Sequence, residues 1–208
     1  MTMRLNMSPD ELLSTTRTVR KRLDLTRPVE REVLLECLEL AVQAPSGSNS
    51  QRWHWIFVTD ADKKAKLAEL YNRVFGAAAA ASEFGELDEP TKRIHSSAQY
   101  LAAHLHEVPV LLVPCEWPRP PEDVSQAGYW GSILPAVWSF MLAARSRGLG
   151  TAWTTVHLRL EEEAADLLGI PYGECAQAGL IPVAYSIGTN FNPGPRNPLD
   201  AIVHWEGW

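Results

Sequence analysis

The sequence is short of the features by which several enzyme classes announce themselves. It contains no GxGxxG: Gly148-Leu149-Gly150 opens such a run, but Trp153 stands where the third glycine belongs. It also lacks GxxxxGK[ST], GxSxG and HExxH. A Rossmann dinucleotide crevice, a P-loop, a nucleophile elbow and a zincin helix are thereby excluded. Cysteine is scarce, with Cys37, Cys115 and Cys175 far apart and no CxxC among them, so a disulfide framework and a zinc knuckle are unsupported and a reduced, cytoplasmic protein is expected. His104 and His106 form an HxH, but two positions apart on a helix they diverge by about 200 degrees, and no metal site is expected. No stretch reaches the roughly 18 continuous apolar residues of a membrane span, and the opening "MTMRLNMSPDELL" is too polar for a signal peptide. Positive charge is also lacking. With 19 Lys and Arg against 25 Asp and Glu, net -6, no nucleic-acid surface is expected, and any bound anion must be held locally.

What is present is an ordinary globular composition, 46% apolar and 21% charged over 208 residues, enough for one domain spanning 1–208 with a full core. Ser8, Pro9 and Glu11 in "SPDELL" make a capping box that starts a short helix. A second helix follows Pro28, its stripe Val33, Leu34, Cys37, Leu38 and Ala41 at helical spacing, and ends before Pro45. "WHWIFVT" at 53–59 reads as a strand, and Asp60 caps the helix carrying Leu67, Leu70, Tyr71 and Val74. Residues 76–90 carry no periodic pattern and read as a mobile, lid-like segment, with 115–128 as a second stretch over the same site. A helix over 91–106, a strand "VPVLLVP" opened by Pro109, a central apolar helix over 130–147 and a strand in "GLGTAWTTV" follow. A charged helix ending "LLGIP", a strand in "AGLIPVAYSIG" and a tryptophan-rich extended tail complete the chain. Helices and strands interleave, which predicts a mixed α/β, or α+β, layered fold.

Four places carry ligand chemistry. "RTVR" sets Arg17, Thr18 and Arg20 just past the first helix, two guanidinium forks and a hydroxyl suited to a phosphate. "APSGSNSQ" supplies Pro45, Ser46, Gly47, Ser48 and Asn49, small side chains through which a ligand can reach main-chain N–H groups, beside an amide that donates and accepts. Trp153, Thr154 and Thr155 follow the central helix, and Arg196 sits in "GPRNP". Each alone is an ordinary polar turn, strand or loop.

Taken in order along the chain, these elements resemble the nitroreductase-like family of FMN-dependent NAD(P)H oxidoreductases, from about residue 8 to 208. The most specific part is Ala44-Pro45-Ser46-Gly47-Ser48-Asn49-Ser50-Gln51-Arg52-Trp53, similar to the family's A-P-S-x-x-N-x-Q-P-W. The resemblance implies a three-layer α+β fold, a mostly antiparallel sheet flanked by helices, in an intertwined homodimer with "VHWEGW" crossing onto the partner. It implies that Arg17, Thr18 and Arg196 hold the FMN phosphate and that Arg20 lies near the ribityl chain and pyrimidine end of the ring. Pro45, Ser46, Gly47 and Asn49 would face the flavin from the partner subunit, and Trp153, Thr154 and Thr155 would pass beside N5. No catalytic side chain is then needed: hydride moves from a visiting NAD(P)H through flavin N5 to a nitroaromatic, quinone or similar electron-poor small-molecule acceptor. The pattern departs from the family at Thr16, Arg52 and Pro195, where a basic residue, a proline and a basic residue are common. A flavin-dependent dehydrogenase, dehalogenase or flavin-consuming enzyme of the same fold, and a non-catalytic flavin-storing dimer, stand as alternatives.

Overall fold

The computed structural model describes residues 4–81, 88–121 and 123–208. Helix α1 (Pro9–Thr15) starts as the capping box requires, the Ser8 hydroxyl accepting from the Glu11 N–H at 3.2 Å. Helix α2 (Arg31–Ala41) buries Val33, Leu34, Cys37 and Ala41, most of the stripe read from spacing. Strand β1 (Trp53–Val58) leads into α3 (Ala61–Ala81), whose first turn is capped by Asp60 Oδ1 accepting from the Lys63 N–H at 2.9 Å. Then come α4 (Glu89–His104), β2 (Val110–Glu116), α5 (Gln126–Ser146), β3 (Leu149–Thr151), α6 (Glu161–Leu168), β4 (Ala176–Gln177) and β5 (Ile181–Tyr185). Gly169 closes α6 in the left-handed conformation at φ 71°.

The sheet runs β1-β2-β5-β3, with β4 paired to the far end of β2, and every strand pair in it is antiparallel. β2 lies in the interior of this order and is buried along its whole length. Its side chains alternate between two cores, as the two-residue period of a strand demands. Leu111, Val113 and Cys115 join Leu67, Leu101 and Leu105 on one face; Val110 and Leu112 join Ile133, Val137 and Phe140 on the other. Helices α3, α4 and α6 therefore cover one face and α2 and α5 the other, giving three layers. The fold is mixed α+β, as expected.

Several local expectations need correction. Of the segment 76–90, residues 76–81 finish α3 and Glu89–Pro90 begin α4, while 82–87 lie outside the described residues. The stretch 115–128 likewise gives its first two residues to β2 and its last three to α5. Helix α5 starts at Gln126, capped by the Ser125 hydroxyl, and runs through Pro135. The bond that Pro135 cannot make falls at the Gly131 carbonyl, and Gly131 is exposed, so water can take it. The strand after Gly148 is only three residues long. The tail forms a 3-10 turn at Leu199–Ala201 and no strand. Among the described residues no helix is long and apolar enough to cross a membrane.

Phe140 is fully buried in the α2/α5 layer, its ring 6.3 Å from that of Trp55 and 6.0 Å from that of Phe57. Phe140→Ala should cost about 3–5 kcal/mol of unfolding free energy, read from urea denaturation. A cost under about 1 kcal/mol would show that this layer is not the close-packed core described.

Candidate functional site

The basic turn owes its place to the edge of the sheet. After α1 ends, Thr18 forms a parallel bridge with Thr151, and the Val19 N–H donates to the Thr151 carbonyl at 2.8 Å. Val19 is buried, so its neighbours Thr18 and Arg20 are turned the other way. Gly150 permits the approach: a Cβ there would lie 2.9 Å from Val19 Cβ.

Arg17, Thr18, Arg20, Arg93, Trp138 and Arg196 line a cleft of about 560 Å³ whose lining, among the described residues, contains four arginines and no carboxylate. The C-terminal segment forms one wall. Arg22 donates to the carbonyls of Ile187 at 2.8 Å and Asn190 at 3.0 Å, Arg145 donates to that of Thr189 at 2.8 Å, and Arg17 donates to that of Asn192 at 2.9 Å. Phe191 lies beneath two of these guanidinium groups, 4.1 Å from Arg22 and 4.8 Å from Arg145. Arg17 and Arg196 then straddle Gly194, where a Cβ would sit 2.9 Å from Arg17 Cζ and 2.7 Å from Arg196 Nη1. Arg20 donates to Ser97 Oγ at 3.0 Å; burial draws its pKa below the ordinary value, with Tyr71 acting in the opposite sense.

The loop after α2 is built differently. Ser48, Asn49 and Gln51 take positive φ angles of 52°, 54° and 48°. The turn is held by Ser46 Oγ accepting from the Gln51 N–H at 2.8 Å and by Asn49 Oδ1 accepting from Gln51 Nε2 at 2.9 Å. The Gly47 N–H donates to Ser132 Oγ on α5 at 3.1 Å. Gly47 and Ser48 line a second cavity of about 310 Å³ with Arg52, Glu116 and Tyr129. Its lining shares no residue with the arginine cleft. Within one chain the structure thus gathers Arg17, Thr18, Arg20 and Arg196 and leaves Pro45, Ser46, Gly47 and Asn49 elsewhere. Trp153 packs over Gly179, and the Thr154 hydroxyl is committed to the Leu180 carbonyl at 2.8 Å, while Thr155 is exposed. Arg93 and Trp138 in the cleft went unread in the sequence, because only the approach of α4 and α5 to the basic turn reveals them.

The nitroreductase family model matches residues 13–185. Over 140 residues, 62% of this chain and 61% of the relative, the sequence is 30% identical to 5,6-dimethylbenzimidazole synthase of Rhodospirillum rubrum. The crystal structure of an oxidized iodotyrosine deiodinase bound to FMN and 3-iodo-L-tyrosine is similar at a TM-score of 0.75 and 25% identity, covering 96% of this chain and 99% of that one. A variant of the FMN and NADPH-dependent nitroreductase NfnB from Sphigopyxis sp. strain HMH shares the fold at a TM-score of 0.72 and 21% identity, covering 97% and 100%.

Two further titratable groups are buried with shifted pKa values. His157 places Nε2 3.0 Å from Gln177 Oε1, and burial lowers its pKa to about 4, so the imidazole is neutral near pH 7. Glu116, at the end of β2, is 2% exposed with Oε2 unpartnered, and burial pushes its pKa up to about 7 against the nearby Arg52. A carboxyl whose folded pKa exceeds its unfolded value binds more protons when folded, so stability falls as pH rises between the two values. The melting temperature of Glu116→Gln should therefore gain on wild type between pH 4.5 and 7, as measured by differential scanning calorimetry. Parallel curves would show that Glu116 is not held protonated.

Proposed function

The chain belongs to the nitroreductase family, and we propose that it is an FMN-dependent NAD(P)H oxidoreductase acting on electron-poor acceptors such as nitroaromatics and quinones. The observation that carries this reading is the arginine cleft around Gly194. Two guanidinium groups closer to Gly194 than any added Cβ would allow, in a lining that has no carboxylate among the described residues, suit a phosphate dianion. The residues present therefore fit FMN. Arg17 and Arg196 would hold its phosphate with the Thr18 hydroxyl, and each charge-assisted bond would contribute about 1.5–3 kcal/mol. Arg20, steadied by Ser97, would place positive charge beside the ring, opposing the negative charge that reduction adds.

FMN, when bound, supplies the hydride-transfer chemistry; the chain supplies position and charge. Among the described residues the cleft lining holds arginines, hydroxyls and apolar side chains but no histidine, which suits a reaction carried by the coenzyme. Trp153 and Thr155 would flank the ring from the end of β3, with Thr154 serving to hold that segment.

A homodimer completes the reading. The loop that carries Pro45, Ser46, Gly47 and Asn49 contributes no residue to the arginine cleft of its own chain, so it would serve the cleft of a second copy. Ile202, Trp205 and Trp208, 57%, 87% and 105% exposed, form an apolar tail that such a copy would cover. The three buried free thiols suit the cytoplasm, the compartment we assign. The likeness to iodotyrosine deiodinase favours a second reading, in which the same coenzyme removes halogen from a halogenated phenol.

Purified protein loaded with FMN should be yellow, lose that absorbance anaerobically on addition of NADH or NADPH, and recover it when a nitroaromatic or quinone follows. Recovery only with an iodophenol, with release of iodide, would select the second reading. A protein that retains no FMN would overturn both.

A further inference from the structure

The arginine cleft holds more positive charge than one phosphate requires. A phosphate monoester carries about -1.5 to -2 at neutral pH, which Arg17 and Arg196 at Gly194 answer, and Arg20 is occupied by Ser97. Arg93 is left over. It lines the same cleft from α4 and makes no hydrogen bond or ion pair among the described residues. Its natural partner on the helix, Glu89 one turn back, is bonded to Lys92 instead, at 3.0 Å. Ser97 lies one turn further on, so Arg93 shares a face of α4 with the residue that Arg20 reaches. A third cation, Lys21, donates to Ser96 Oγ at 2.8 Å on the same helix. Like charges gathered this way repel one another until an anion enters.

The remaining wall is apolar. Ile94 and Trp138 line the cleft and are 58% and 39% exposed, a surface that suits a flat hydrophobic body. We propose that Arg93 is a specificity residue that binds the carboxylate of a planar, aromatic acceptor lying against Trp138 and Ile94. This rests on the reading that Arg17 and Arg196 hold FMN. The phosphates of NAD(P)H share the anionic chemistry, and the experiment separates the two sources.

The test uses the FMN-loaded protein and two probes that differ in one charge, 4-nitrobenzoate and its methyl ester. Oxidised holoprotein should bind the acid more tightly than the ester in isothermal titration calorimetry. Arg93→Gln should weaken the acid by at least about 10-fold, the loss of one charge-assisted bond, and leave the ester within about 2-fold. Arg93→Lys should recover part of the loss. The FMN dissociation constant and the rate of anaerobic reduction by NADPH should not change. Arg93 is exposed and free of internal bonds, so the variants should fold as wild type does. The proposal is overturned if acid and ester weaken together or if wild type does not prefer the acid. It is equally overturned if only reduction by NADPH slows, which would assign Arg93 to the reductant, or if FMN binding weakens, which would make it another phosphate ligand. Wild-type protein that binds no FMN would instead remove the cofactor reading, and this proposal with it.

Discussion

The main-chain bond from Val19 to Thr151, 2.8 Å long, is the contact on which the arginine cleft depends. It lays residues 17–20 along the edge of β3, and it exists because Gly150 has no side chain to hold Val19 away. Once Val19 is anchored in the core, Arg17 and Arg20 have a fixed origin from which to reach the cleft. A long cation attached to a free loop would lose several rotamers on binding an anion; attached to a sheet edge it loses fewer. The C-terminal segment repeats the strategy from the opposite side. Its carbonyls are taken by Arg17, Arg22 and Arg145, which ties the chain around Phe191 and delivers Gly194 and Arg196 to the same place.

This clamp also explains why arginine is used so heavily in an acidic protein. The guanidinium groups of Arg22 and Arg145 satisfy backbone carbonyls and cover an aromatic ring, which is structural work, while those of Arg17, Arg20, Arg93 and Arg196 face the cleft. The net charge of -6 keeps the rest of the surface from competing for anions. The loop after α2 follows another logic. Its residues Gly47, Ser48, Asn49 and Ser50 are exposed, Ser48 and Asn49 take positive φ angles, and Gly47 is tied to α5 through Ser132.

Much of this architecture was legible in the sequence because it is local. The Ser8 cap, the α2 stripe, the aromatic strand β1 and the charged helix ending in "LLGIP" depend on neighbours a few residues away. The family resemblance likewise rests on short runs, and "RTVR" and Arg196 do meet in one cleft. What was not legible depends on contacts across long sequence separations. Gly150 and Gly194 look like loop glycines until Val19 and the two arginines are packed against them. Arg93 and Trp138 lie on helices whose faces toward the cleft are set by the sheet between them, and Glu116 falls in the stretch 115–128 read as lid-like rather than as a buried carboxyl without a partner. The central helix read over 130–147 starts four residues earlier, at Gln126, and absorbs Pro135 where the orphaned carbonyl falls at an exposed glycine.

The central claim is that Arg17 and Arg196, both packed close to Gly194, form a phosphate clamp. The most direct measurement compares the affinity of the cofactor-free protein for FMN with that for riboflavin, which carries the same ring and ribityl chain but no phosphate, by quenching of flavin fluorescence. Two charge-assisted contacts predict that FMN binds at least about 100-fold more tightly. Equal affinities would contradict the clamp.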